Sequence, residues 1–164
     1  FEAVRYRQFS VMKYEPFAIE RLQDIIGLAF KMQQESDFQT VPFDIEQIAN
    51  SVLRLVIDNP RGFGVIAYTD DGKPAGMLTG SITDYVFSKG SIASDFAWFV
   101  LPEHRGSRTA LKMLNMFKSW ARENGATELY MGITTNVSKD RTGQLLERVG
   151  FDHVGGNYRV RLNG

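Results

Sequence analysis

The chain has 164 residues, the length of one domain at roughly 150 residues each, so a single domain over residues 1–164 is expected. Hydrophobic residues make up 43% and charged residues 23%, enough apolar material for a packed core, which excludes global disorder. Nineteen Lys plus Arg against nineteen Asp plus Glu give a net charge of zero, which argues against nucleic acid or a membrane surface as a partner.

The first predicted element is a short strand near residues 4–9. A helix follows from about Pro16, with Leu22, Ile25, Ile26, Ala29 and Phe30 at helical spacing. Pro16 suits a first helical turn, where its missing N–H has no partner anyway. A polar loop from Gln33 to Pro42 carries Glu35, Ser36 and Phe38. The second helix has an N-terminal signature: Asp44 as cap, Gln47 three residues on, and Phe43 placed to staple onto Ile48. Its apolar stripe of Ile45, Ile48, Val52 and Leu55 ends at Asn59-Pro60.

Three strands are expected next: Phe63 to Thr69, Ala75 to Phe87 and Ser91 to Leu101, joined by turns at Asp70–Lys73 and Lys89-Gly90. The centre of the third, Phe96 to Val100, is apolar on both faces, which predicts a mid-sheet strand covered on both sides. A helix over 108–124 follows from the spacing of Ala110, Leu114, Phe117 and Ala121, with Gly125 as its stop. Then come a strand at Thr127–Thr135, a short helix at Lys139–Val149 ended by Gly150, and a last strand or hairpin at Phe151–Leu162 around Gly155-Gly156. The order β-α-α-β-β-β-α-β-α-β-β defines a mixed α/β layer fold.

What is missing also constrains function. The longest apolar run is six residues, Phe96 to Leu101, far short of the ~20 needed to span a bilayer. No basic segment leads into an apolar core near the start, so no signal peptide and a cytoplasmic location are expected. Without cysteine there is no disulfide, thiolate metal site or cysteine nucleophile, and His104 and His153 alone leave little for a metal centre. No metal is expected.

The most informative junction is the turn Arg105-Gly106-Ser107-Arg108-Thr109-Ala110, between a buried strand and a helix start. Unpaired N–H groups and the positive end of the helix dipole gather there, and small residues let those amides approach a pyrophosphate. Arg105 and Arg108 add charge that pairs with phosphate oxygens. The plain alternative is a strand–helix connection with Ser107 as N-cap and two solvated arginines. It is not a nucleotide P-loop, since no Gly-Lys-Ser/Thr follows.

In this turn the chain resembles the GNAT superfamily of acetyl-CoA-dependent N-acetyltransferases, whose signature is Arg/Gln-x-x-Gly-x-Gly/Ala. Arg105 and Ala110 match its first and last positions, while Arg108 replaces the inner glycine. Three further stretches are similar to family passages in the right order: Phe99–Gly106, Trp120-Ala121 with Gly125-Ala126, and Leu145–Phe151. Glu35-Ser36-x-Phe38 with Pro42-Phe43-Asp44 resembles the acceptor-side loop of small bacterial members. The resemblance implies a GNAT-like, mostly antiparallel central sheet flanked by about four helices. It implies acetyl-CoA as acetyl donor, with the amides of residues 105–110 on the pyrophosphate, Trp98, Phe99 and Val100 along the pantetheine arm, and Asn136 in reach of CoA. A backbone N–H of that strand would stabilise the thioester oxyanion. The acceptor, a primary amine, would attack the thioester directly.

An amine with a pKa of about 10.4 must lose a proton first. Candidate bases are Asp95, Glu35 and Asp84; two-residue alternation puts Asp95 on one strand face with Ala97 and Phe99. Each also reads as an ordinary solvated carboxylate. The family's tyrosine acid in the late helix corresponds to Leu146, which carries no proton and packs against Phe151 if Gly150 closes the helix. Tyr130 and Tyr158 are the candidate substitutes. An N-acetyltransferase is thus the leading reading. An acyl-CoA-binding module without transferase activity is its alternative, and a partner-binding domain without cofactor is the third. Open sheet edges leave a homodimer open.

Overall fold

The computed structural model describes residues 11–133 and 139–162. The strand expected at residues 4–9 therefore lies outside the described residues, as does Asn136. Five strands form one sheet in sequence order: β1 (Lys13–Pro16), β2 (Gly62–Tyr68), β3 (Pro74–Asp84), β4 (Ser91–Val100) and β5 (Glu128–Tyr130). The pairings are antiparallel except β4 with β5, which run parallel. Helices α1 (Leu22–Glu35) and α2 (Ile45–Val52) cover one face, and α3 (Thr109–Glu123) with α4 (Lys139–Arg148) the other.

Strand alternation explains why one sheet carries two cores. On β2, Val65 and Ala67 pack with Leu78, Met113, Leu114 and Phe117 under α3, whereas Ile66 packs with Ile25, Leu28, Met77 and Phe99 under α1. The two-sided burial expected of β4 is seen at its end, where Phe99 belongs to the α1 face and Val100 to the α3 face.

The cap of α2 forms as expected, with Asp44 Oδ1 accepting from the Gln47 amide at 2.9 Å, but Ile45, first in the expected apolar stripe, is exposed. The chain then continues through a π-helical turn, Leu53–Ile57, before stopping at Asn59. At the end of α4 the Gly150 amide donates to the Glu147 carbonyl and the Phe151 amide to that of Leu146, with Gly150 at φ +96°. This is a Schellman closure, and Leu146 lies buried beside Phe151 as its apolar contact.

Four expectations are corrected. Pro16 ends an edge strand opposite Val65 instead of opening a helix; an edge strand tolerates its missing donor, and the α-helix starts six residues later. The second long strand stops at Asp84, where Tyr85 turns and Val86 and Phe87 become exposed. Strand β5 spans only Glu128–Tyr130, and residues 131–133 leave the sheet. Finally, residues 151–162 form no strand or hairpin among the described residues: Val154, Tyr158, Val160 and Leu162 are exposed, and residues 150–157 face the edge strand β5 across a hollow without pairing to it.

Candidate active site

The site begins with a fault in the register of β4. Thr79 pairs with Ala97, but Gly80 pairs with Asp95, so Phe96 is the extra residue of a β-bulge and is exposed. The bulge breaks the alternation read from the sequence. Asp95 faces the same side as Ala93 and Trp98, toward α3 and α4, while Ala97 and Phe99 face α1. Gly80 permits this geometry: a Cβ there would stand 2.3 Å from the Ser94 carbonyl oxygen and 2.6 Å from Cζ of Phe117.

The same fault opens the sheet. Strands β4 and β5 pair only over Ile92–Ser94 and Glu128–Tyr130. Beyond that point the link between them is a side chain, with the Gly132 amide donating to Asp95 Oδ1 at 2.7 Å. Burial pushes the Asp95 carboxyl up to about 6, a rise that the Gly132 hydrogen bond only partly offsets. It is thus a carboxylate at neutral pH with a basicity suited to accepting a proton.

Past the bulge, Trp98, Phe99 and Val100 line a cleft of about 470 Å³ that runs between the 105–110 turn and α4. The indole N–H of Trp98 is buried without a hydrogen-bond partner among the described residues. A larger hollow, about 800 Å³, lies between α4, β5 and residues 150–157, and none of its lining comes from the turn.

The turn is built to leave amides free. Gly106 sits at φ +80°, a left-handed conformation that a side chain would strain, and open space surrounds its Cα. Ser107 Oγ donates to the His104 carbonyl at 2.6 Å and accepts from the Thr109 amide at 3.3 Å. The N-cap of α3 is Arg108, not Ser107, and its carbonyl accepts from Lys112. The amides of Gly106, Ser107, Arg108, Ala110 and Leu111 have no partner among the described residues. Arg108 adopts φ −78°, which any L-residue can hold, and its exposed side chain is not part of the cleft lining. The missing inner glycine therefore imposes no backbone strain.

Arg105 is fully engaged. Its Nε donates to the Val100 carbonyl at 2.9 Å, Nη1 and Nη2 reach the two Glu35 oxygens at 2.5 Å each, and the guanidinium lies 5.4 Å from the centre of the Phe99 ring. This bidentate pair ties the end of α1 to the end of β4, and both oxygens of Glu35 are occupied by it. The bulge brings Asp95 and Trp98 to one face, while Glu35 sits with Arg105 at the turn. Asp84 is exposed on the Arg61 guanidinium at 2.8 Å, which holds its carboxyl below the ordinary value. Tyr158 is 98% exposed on the segment that follows α4 and makes no hydrogen bond among the described residues, whereas its neighbour Arg159 pairs with Asp37 beyond the end of α1. Tyr130 bonds Glu128, whose charge raises its phenol.

Sequence reasoning missed the far wall of the cleft, which α4 supplies through Arg141, Gln144, Leu145 and Arg148. Their spacing of three, four and seven marks one helix face, a signal that becomes readable only once α4 is known to pack beside the turn.

A parallel strand pair that parts beside an amide-rich helix start forms a cleft suited to a phosphate-bearing ligand. The profile of the acetyltransferase (GNAT) family matches residues 19–151, and the chain belongs to that family of acyltransferases. No curated protein sequence matches the chain. Among solved structures, it is similar to aminoglycoside 6'-N-acetyltransferase AAC(6')-Ih from Acinetobacter baumannii, at 21% identity over 92% of this chain and 97% of that one, with a TM-score of 0.72. Aminoglycoside N-acetyltransferase AAC(6')-Iy in complex with CoA is 18% identical over 94% and 97%, with a TM-score of 0.75. An acetyltransferase of Trypanosoma brucei is 13% identical over 93% and 100%, with a TM-score of 0.70. At such identities the likeness establishes the fold. Among the described residues, no helix is long and apolar enough to cross a membrane.

Proposed function

We propose that this protein is an N-acetyltransferase that uses acetyl-CoA to acetylate a primary amine, with Asp95 as the proton acceptor. The carrying observation is the β4 bulge, which turns a desolvated carboxylate onto the same strand face as the cleft-lining Trp98. The residues fit the cofactor: free amides and a strain-free Gly106 at the turn, an apolar strand surface beside it, and an orphaned indole N–H.

Acetyl-CoA, when bound, supplies an acetyl thioester open to direct attack by a neutral amine. Gly106, Ser107, Arg108 and Ala110 would hold the pyrophosphate through their amides, with Thr109, buried in the first turn of α3, keeping Ser107 in place. Trp98, Phe99 and Val100 would line the pantetheine arm. Asp95 lies three residues upstream of Trp98, up to ~10 Å along the strand, at the apex where β4 and β5 part. There its carboxylate takes the proton that an ammonium acceptor must lose. Arg105 and Glu35 fix the turn to α1 rather than act on the amine. Leu146 is buried in the α3-side core and donates no proton, and a thiolate leaving group with pKa ~8.5 can depart without a dedicated acid.

The test is acetyl transfer from acetyl-CoA to a panel of polyamines, aminoglycosides, peptide N-termini and lysine peptides. Aminoglycosides are included because the similar AAC(6') enzymes carry that acceptor in their names. Turnover with at least one amine, lost in Asp95→Asn, is expected. CoA binding without turnover on any amine would instead support an acyl-CoA-binding module.

A further inference from the structure

The cleft lining is charged in one sense only. It includes Arg105, Arg141, Arg148 and His104 and no carboxylate. Arg105 is neutralised by Glu35, and Arg108 lies outside the lining. Arg141 and Arg148 are exposed and form no ion pair among the described residues. In a chain of zero net charge, the free positive charge of this cleft comes from one helix face opposite the amide-rich turn.

We infer that Arg141 and Arg148 of α4 are the phosphate-binding arginines of this site, taking the role that the signature turn delegates to neither Arg105 nor Arg108. The inference rests on the acetyl-CoA reading above and deepens it. The turn offers neutral amide donors, whereas a CoA molecule carries several negative charges on its pyrophosphate and 3'-phosphate. Two guanidinium forks seven residues apart lie on the same side of α4, two turns from one another, so they reach different points along such a ligand. Charge-assisted bonds to phosphate are stronger than neutral ones, and a cleft lined by one sign of charge concentrates a polyanion.

The test is calorimetric titration of CoA and dephospho-CoA into the wild-type protein and into Arg141→Gln, Arg148→Gln and Arg122→Gln, at two salt concentrations. Arg122 is exposed in the last turn of α3, outside the cleft, and controls for net charge. Each cleft variant is expected to weaken CoA at least about tenfold and to flatten the salt dependence, with Arg122→Gln unchanged. An equal loss for both ligands assigns that arginine to the pyrophosphate, and a loss confined to CoA assigns it to the 3'-phosphate. Arg141→Lys and Arg148→Lys, which keep the charge and lose the fork, should fall between. Melting curves without ligand show that each variant folds. Wild-type affinity in both glutamine variants would overturn the inference, whereas no binding of CoA to the wild type would overturn the acetyl-CoA reading itself.

Discussion

Replacing Asp95 with Asn removes a titrating proton while keeping a carbonyl oxygen for the Gly132 amide. Burial raises the Asp95 carboxyl from its ordinary 3.8 to about 6. A carboxyl raised on folding contributes stability that is fully present below pH ~4 and lost as the pH rises through 6. Two pH units correspond to roughly 3 kcal/mol, trimmed to about 2–3 kcal/mol because the group keeps some contact with water. Asp95→Asn should therefore melt higher than the wild type by ~5–10 °C at pH 8 and by almost nothing at pH 4. The same variant should lose ~10²–10⁴-fold in kcat/KM. The wild-type rate should rise with pH through about 6 as the carboxylate forms. Melting curves of the two proteins from pH 4 to 8.5 form the assay. Two profiles that run parallel over that range would refute the claim that burial at the β4 bulge desolvates this carboxylate.

Three other substitutions probe the frame. Gly80→Ala drives a Cβ into the Ser94 carbonyl and the Phe117 ring, so a stability loss of ~1–3 kcal/mol in denaturant titration is expected, together with loss of activity as the bulge shifts. Glu35→Gln breaks a part-exposed ion pair and should cost ~1 kcal/mol or less in a melt; the rate rise near pH 6 should stay in place, because Asp95 carries it. Phe117→Ala empties the fully buried site that stacks on Phe63 and Trp120, with an expected loss of ~3–5 kcal/mol by urea unfolding.

Local signals made much of this molecule legible before its structure. The 3.6-residue period of Ala110, Leu114, Phe117 and Ala121 marks α3, Asp44 with Gln47 marks the start of α2, and Gly150-Phe151 marks the end of α4. Features that depend on a distant partner were hidden. Nothing near Phe96 announces a bulge, because an apolar residue in an apolar run looks the same paired or extra; Gly80, across the sheet, permits it. The tetrapeptide Lys13–Pro16 becomes a strand only through its pairing with β2. Residues 151–162 show the reverse: β-prone side chains form no strand here, although the edge of β5 lies across a hollow from residues 150–157. The ion pair of Glu35 with Arg105 joins residues 70 apart, so the phosphate role expected of Arg105 could not be weighed against it in advance.

Acetyl-CoA binding at this site requires the partner-free amides of the 105–111 turn to receive a phosphate. Amide hydrogen exchange across this turn, with and without saturating CoA and with ATP as comparison, tests that directly. Slowed exchange at Gly106, Ser107, Arg108, Ala110 and Leu111 is expected with CoA, and little effect of ATP. Unchanged exchange at millimolar CoA would contradict such binding.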